Sequence, residues 1–124
     1  MTGTPRWEAA EDVHTRAFCP RFHHAVELIG RRWTGAIVRV MLQGPHRFSE
    51  LAAAVPGISE RLLSQRLREL EAEGLVVRRV IPGPPVGVEY ELTRGGHELE
   101  AVVTAVADWA HQWGPAEEAA GETD

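Results

Sequence analysis

Apolar residues recur at helical spacing through most of the chain. Trp7, Ala10, Val13, Ala17 and Phe18 form a stripe that predicts a short helix in the N-terminal segment. Cys19-Pro20 reads as a second helix start, because proline is favoured at the first helical position. Phe22, Ala25, Val26 and Ile29 then share one face of a helix over residues 20–29, which Gly30 ends. Trp33, Ile37, Val40 and Met41 predict a helix over 32–43, stopped by Gly44-Pro45. His46-Arg47-Phe48 is a short extended link. Ser49 is the expected cap of a brief helix over 50–55, and Pro56-Gly57 turns the chain. Ser59 caps the next helix, 60–73, whose apolar residues are Leu62, Leu63, Leu67 and Leu70. Gly74 closes it in a left-handed conformation.

Beyond Gly74 the period changes. Leu75 to Ile81 is rich in Val and Ile and predicts a strand. Pro82-Gly83-Pro84-Pro85 makes a loop. Val86, Val88, Tyr90 and Leu92 then alternate with Gly87, Glu89 and Glu91, which is the period of two of a second strand. Thr93 caps a last helix over 94–113, carrying Leu99, Val102, Val103, Val106, Trp109, Ala110 and Trp113. The expected organisation is an arm over 1–18, a domain over 19–113 and an acidic, disordered tail over 114–124. Two short helices joined by a Pro-Gly turn and followed at once by a hairpin predict an α+β fold, a winged helix-turn-helix.

Composition bounds the function. At 124 residues, 44% hydrophobic and 25% charged, the chain is an ordinary single domain with room for a core. The longest stretches without a charged side chain, Leu51–Ser59 and Val80–Val88, are broken by Pro and Gly, so no membrane span is expected. The first 20 residues lack the apolar segment of a secretory signal, and one cysteine excludes an intramolecular disulfide; the expected location is the cytoplasm. The net charge of −5 is unevenly spread. Residues 16–68 carry +6, whereas residues 95–124 carry −7 with no Lys or Arg. Local charge decides phosphate binding, since salt screens fields beyond roughly 8–10 Å. All thirteen basic residues are Arg, whose fork suits phosphate and guanine, although a GC-rich genome gives the same bias.

Several linked segments are familiar. Cys19-Pro20, Leu28-Ile29-Gly30-Arg31-Arg32-Trp33-Thr34, Arg47-Phe48-Ser49-Glu50-Leu51, the run from Pro56 to Leu70, Glu73-Gly74-Leu75-Val76 and Val88 to Thr93 resemble the HxlR-type winged-helix transcriptional regulators. The resemblance covers about residues 19–113. It implies a homodimer on double-stranded operator DNA, with the 60–73 helix in the major groove and the N-terminal and last helices building the dimer. It also implies, for some members, a response to electrophiles or oxidants through the N-terminal cysteine. Eighteen residues precede Cys19, where the resemblance leads one to expect fewer.

At 3.6 residues per turn Leu63, Leu67 and Leu70 face inward, while Arg61, Gln65 and Arg68 fall opposite with Ser64 beside them. These are side chains that read base edges: Arg for guanine, Gln for adenine, Ser for either. Ser59 can offer its hydroxyl or amide to a phosphate. The plain alternative is a solvated helix face. Arg47 is a phosphate candidate. Arg78 and Arg79 adjoin on a strand, so one can reach the DNA backbone while the other covers the sheet edge. Glu89 and Glu91 are expected to be solvated charges. The wing loop carries no charge, so its base reading should be weak.

Cys19 lies at a helix start near Arg21, His23 and His24, a setting that favours a nucleophilic thiolate; the rival reading is a packed, inert thiol. Cys19 and His23, with His14, could also approach a metal, but no CxxC or HxxxH pair supports that, and no metal or cofactor is expected. Trp7, Phe22, Val102, Val106, Trp109 and Trp113 are the expected dimer seam. Two rivals remain: a regulator binding a small aromatic effector at that seam, and a winged-helix protein-interaction module without a DNA site. Nothing pairs a nucleophile with a base or forms a Gly-rich phosphate loop, so an enzyme is not expected.

Overall fold

A computed structural model describes residues 17–115. The expected helix containing Trp7 and the acidic stretch beyond Pro115 lie outside the described residues. The chain divides into two compact units at the Arg31–Arg32 peptide.

In the first unit, α1 spans Pro20–Ile29. Pro20 takes the first helical position, as its fixed φ favours, and Cys19 is the extended N-cap residue. Leu28 is buried, but Phe18, Phe22 and Val26 are exposed, spaced four residues apart along one side.

The second unit holds α2 (Thr34–Met41), β1 (His46–Arg47), α3 (Phe48–Ala54), α4 (Glu60–Ala72), β2 (Val76–Ile81), β3 (Gly87–Leu92), α5 (Arg94–His97) and α6 (Glu100–Trp113). The three strands form one antiparallel sheet in the order β1-β3-β2. Val76 faces Leu92 across the hairpin, Arg78 faces Tyr90 and Arg79 faces Glu89. One core joins the helices to the sheet: Ile37, Val38 and Met41 from α2, Leu51 from α3, Leu63, Leu67 and Leu70 from α4, Val76 and Leu92 from the hairpin, and Val103 from α6. Each such side chain contributes about 1.5–3 kcal/mol by leaving water.

The helix starts differ from the periodicity-based expectation at two places. The second helix begins at Thr34 rather than residue 32, because Trp33 takes a left-handed φ of 76°. Trp33 nevertheless packs against the core, with the Arg32 guanidinium 5.2 Å from its ring centroid. Ser49 does not cap α3. The helix starts two residues earlier than expected, at Phe48, and the Glu50 carboxylate accepts the Arg47 N–H at 2.8 Å. A carboxylate three residues in holds the Arg47 N–H as half of a capping box, and Ser49 is left inside the first turn.

The last helix is also broken. Thr93 accepts the Gly96 N–H as expected, and its hydroxyl donates to the Gly74 carbonyl at 2.7 Å. Only four residues follow as α5 before a turn at Glu98–Leu99. Gly96 is buried, and a Cβ there would overlap the Leu75 carbonyl oxygen and lie 2.9 Å from Leu92 Cδ2. This close approach docks α5 on the start of β2. It turns Leu99 into the core, so Leu99 is not part of the exposed stripe.

Candidate nucleic-acid interface

Helix α4 is fixed on one side and free on the other. Ser59 Oγ accepts the Leu62 N–H at 3.1 Å, closing the N-terminal turn. Leu63, Leu67 and Leu70 are fully buried. That leaves Arg61, Gln65 and Arg68 exposed and Ser64 half-buried, the division the 3.6-residue period predicts. The Arg68 guanidinium donates to Ser64 Oγ at 2.7 Å, so these two expected contact residues form a ready pair. Gln65 Nε2 donates to Glu69 Oε2 at 3.3 Å.

Two residues of this helix were not singled out from the sequence. Arg66 donates through Nε to the Arg32 carbonyl at 2.9 Å and through Nη1 to both Glu69 carboxylate oxygens at 3.1 Å. The helical spacing of Arg66 and Glu69 was the available signal, but the Arg32 carbonyl is a tertiary partner that spacing does not reveal.

The sheet carries three further arginines, Arg47 on β1 and Arg78 and Arg79 on β2. β1 places Arg47 opposite Glu89, and β2 places Arg79 opposite the same residue from the other side. A Cβ at Gly87 would lie 2.9 Å from Arg47 Nη1, so the bare glycine gives the Arg47 side chain its place at the base of the wing. Arg79 pairs with Glu91 at 2.9 Å. Glu91 is therefore half-buried and ion-paired rather than a solvated charge, while the Arg79 side chain is itself 56% exposed. Arg78 occupies the other face, in register with Tyr90, and is exposed. The wing between Ile81 and Gly87 is uncharged, with Val86 exposed.

Of the remaining expected site residues, Cys19 is a free, half-buried thiol at the start of α1. His23 contacts Glu27 at 3.4 Å, and its ring lies 5.4 Å from that of Phe18. Val102, Val106, Trp109 and Trp113 are exposed along α6, and Phe22 along α1. Trp7 lies outside the described residues.

A helix-turn-helix whose second helix shows a basic and amide-bearing face, followed by a β-hairpin wing that β1 completes into a three-stranded sheet, defines a winged helix-turn-helix DNA-binding regulator. The model of the HxlR-like helix-turn-helix family matches residues 28–118, and the chain belongs to that family. It is 48% identical over 95 residues to the HTH-type transcriptional regulator YvaP of Bacillus subtilis, covering 77% of this chain and 88% of that protein. It is 43% identical over 95 residues to the regulator YodB of the same organism, covering 77% and 85%. The reduced form of YodB superposes with a TM-score of 0.72 at 43% identity, over 77% of this chain and 94% of that one. The redox regulator HypR in its reduced form gives 0.70 at 37% identity, over 74% and 91%. YodB has also been solved quinone-bound and diamide-treated, and HypR oxidised. The chain is thus a transcriptional regulator and not an enzyme. No described helix is long and apolar enough to cross a membrane.

Proposed function

We propose that this regulator acts as a homodimeric, sequence-specific repressor on a pseudo-palindromic operator, within residues 19–113, flanked by an arm (1–18) and an acidic tail (114–124). Helix α4 enters the major groove of each half-site. Arg61, Gln65 and Arg68 with Ser64 meet base edges; Ser59, Arg47 and Arg78 meet phosphates. Arg79 serves the wing through its pair with Glu91. The observation that carries this reading is the exposed Arg61–Gln65–Arg68 face on a helix whose opposite side is locked by three buried leucines. Half-sites read by two such helices lie about one turn apart, roughly 34–36 Å. The exposed stripe Val102, Val106, Trp109 and Trp113 on α6, with Phe22 on α1, supplies apolar surface for a second copy.

Cys19 is the proposed trigger. It is a free thiol at a helix start, and two relatives are known in quinone-bound or oxidised forms. Alkylation by a quinone adds the thiol across the electrophile's double bond and lowers operator affinity. The test is a gel shift across a salt series on genomic fragments, before and after quinone treatment. Release of DNA by wild type but not by Cys19→Ser supports the reading. Equal release by both moves the trigger to an aromatic effector between the tryptophans of α6. No DNA complex at any salt concentration leaves a protein-interaction module.

A further inference from the structure

Glu69 belongs to none of the expected contact sets, yet it organises the face of α4. Its carboxylate receives the Gln65 amide nitrogen at 3.3 Å and Arg66 Nη1 at 3.1 Å on both oxygens. Arg66 is in turn anchored to the Arg32 carbonyl at 2.9 Å. The Arg66 and Glu69 side chains are 13% and 25% exposed, whereas Gln65 is open to solvent. An outward-facing amide is therefore held by a carboxylate that is itself clamped to the backbone of another segment.

We propose that Glu69 is a positioning residue for base selection: it fixes the Gln65 amide so that Gln65 reads adenine and rejects guanine. This rests on the reading of α4 as the recognition helix. An ionised carboxylate only accepts hydrogen bonds, so the end of the amide facing Glu69 must be its NH2. That removes the freedom to swap the amide oxygen and nitrogen by rotation. One N–H of Gln65 is committed to Glu69. What remains for a base is one acceptor, Oε1, and one N–H. Adenine offers the matching pair, a donor at N6 and an acceptor at N7. Guanine offers two acceptors, O6 and N7, and would need both N–H groups of Gln65. The negative charge of Glu69 further repels those acceptors. Without Glu69 the amide rotates freely, and both purines can be served.

The test starts from the operator that wild type selects out of a random duplex library. The position at which Gln65→Ala loses its base preference is the position to probe. Adenine-to-guanine discrimination there is measured by competition gel shift for wild type, Glu69→Ala and Glu69→Gln. Wild type should prefer adenine by about ten-fold or more. Glu69→Ala should lose most of that ratio, with preferences elsewhere and non-specific affinity unchanged. Glu69→Gln keeps an acceptor oxygen and should retain more of it. Arg66→Met, which frees Glu69 from its anchor, should lower the ratio in the same direction and serves if Glu69→Ala does not fold. A Glu69→Ala protein that keeps the full ratio, or loses affinity for all sequences alike, overturns the proposal while leaving the recognition helix intact. So does an Arg66→Met protein with the full ratio. If Gln65→Ala changes no base preference at all, this inference fails; only if Arg61→Ala is equally silent does the recognition-helix reading fall with it.

Discussion

Truncating Trp109 should dissolve the proposed homodimer. Trp109 and Trp113 are 62% and 68% exposed, and Val102 and Val106 lie on the same side of α6 at intervals of four, three and four residues. Such spacing makes a continuous seam along a helix. A tryptophan buries roughly 150–250 Å² when covered, so about 100–150 Å² of each remains available, worth ~2.5–4 kcal/mol at ~25 cal/mol per Å². Four tryptophans per dimer then supply ~10–15 kcal/mol, with about 1 kcal/mol more from each valine. Association costs ~4–15 kcal/mol in lost freedom and ordering, so the seam is of the size a micromolar dimer needs and has little to spare. Trp109→Ala removes one anchor from each protomer. At ~2–4 kcal/mol per anchor truncation and two truncations per dimer, the dissociation constant should rise by at least about 700-fold. Sedimentation velocity or light scattering at micromolar concentration reads this directly, with Val106→Glu combined with Trp109→Glu as the stronger perturbation. A wild type that scatters as a 13.7 kDa monomer at that concentration refutes the seam. So does a Trp109→Ala protein that dimerises as well as wild type.

Three further outcomes follow from named contacts. Arg47→Ala should weaken binding to specific and random duplexes alike and reduce the slope of log affinity against log salt by about one, as expected for one phosphate contact. Leu67→Ala, in a fully buried position of α4, should cost about 2–5 kcal/mol in urea unfolding, because the surrounding leucines cannot collapse fully into the gap. Cys19→Ser should bind operator as wild type does and keep it after quinone treatment; rapid alkylation of native wild type with no change in DNA affinity would count against Cys19 as the trigger.

The recognition helix and the wing were legible in the sequence because each rests on one strong local signal. In α4 the leucine spacing separates buried from exposed positions without reference to any other element. In the hairpin the alternation through Tyr90 and Leu92 sets the register. What escaped were features decided by tertiary or competing contacts. Trp33 sits at helical spacing, but packs against the core from a left-handed backbone that shortens α2. Ser49 has the right chemistry for a cap, yet the helix begins ahead of it at Phe48, with the Glu50 carboxylate holding the Arg47 N–H. The break before α6 follows from Gly96 pressing on the Leu75 carbonyl, a contact between segments far apart in periodicity. Likewise the ion pair of Arg79 with Glu91 needed the strand register, which sets the two residues diagonally across the hairpin.

In the proposed complex α4 lies in the major groove with Arg61 on a base edge. Methylation interference on the wild-type operator tests it most directly, because methylation at guanine N7 changes the major-groove edge that arginine reads. Methylating one guanine in each half-site should block wild-type binding, with the two sites about one helical turn apart. The block at those guanines should disappear for Arg61→Ala. Binding indifferent to N7 methylation, or an interference pattern identical in wild type and Arg61→Ala, would contradict it.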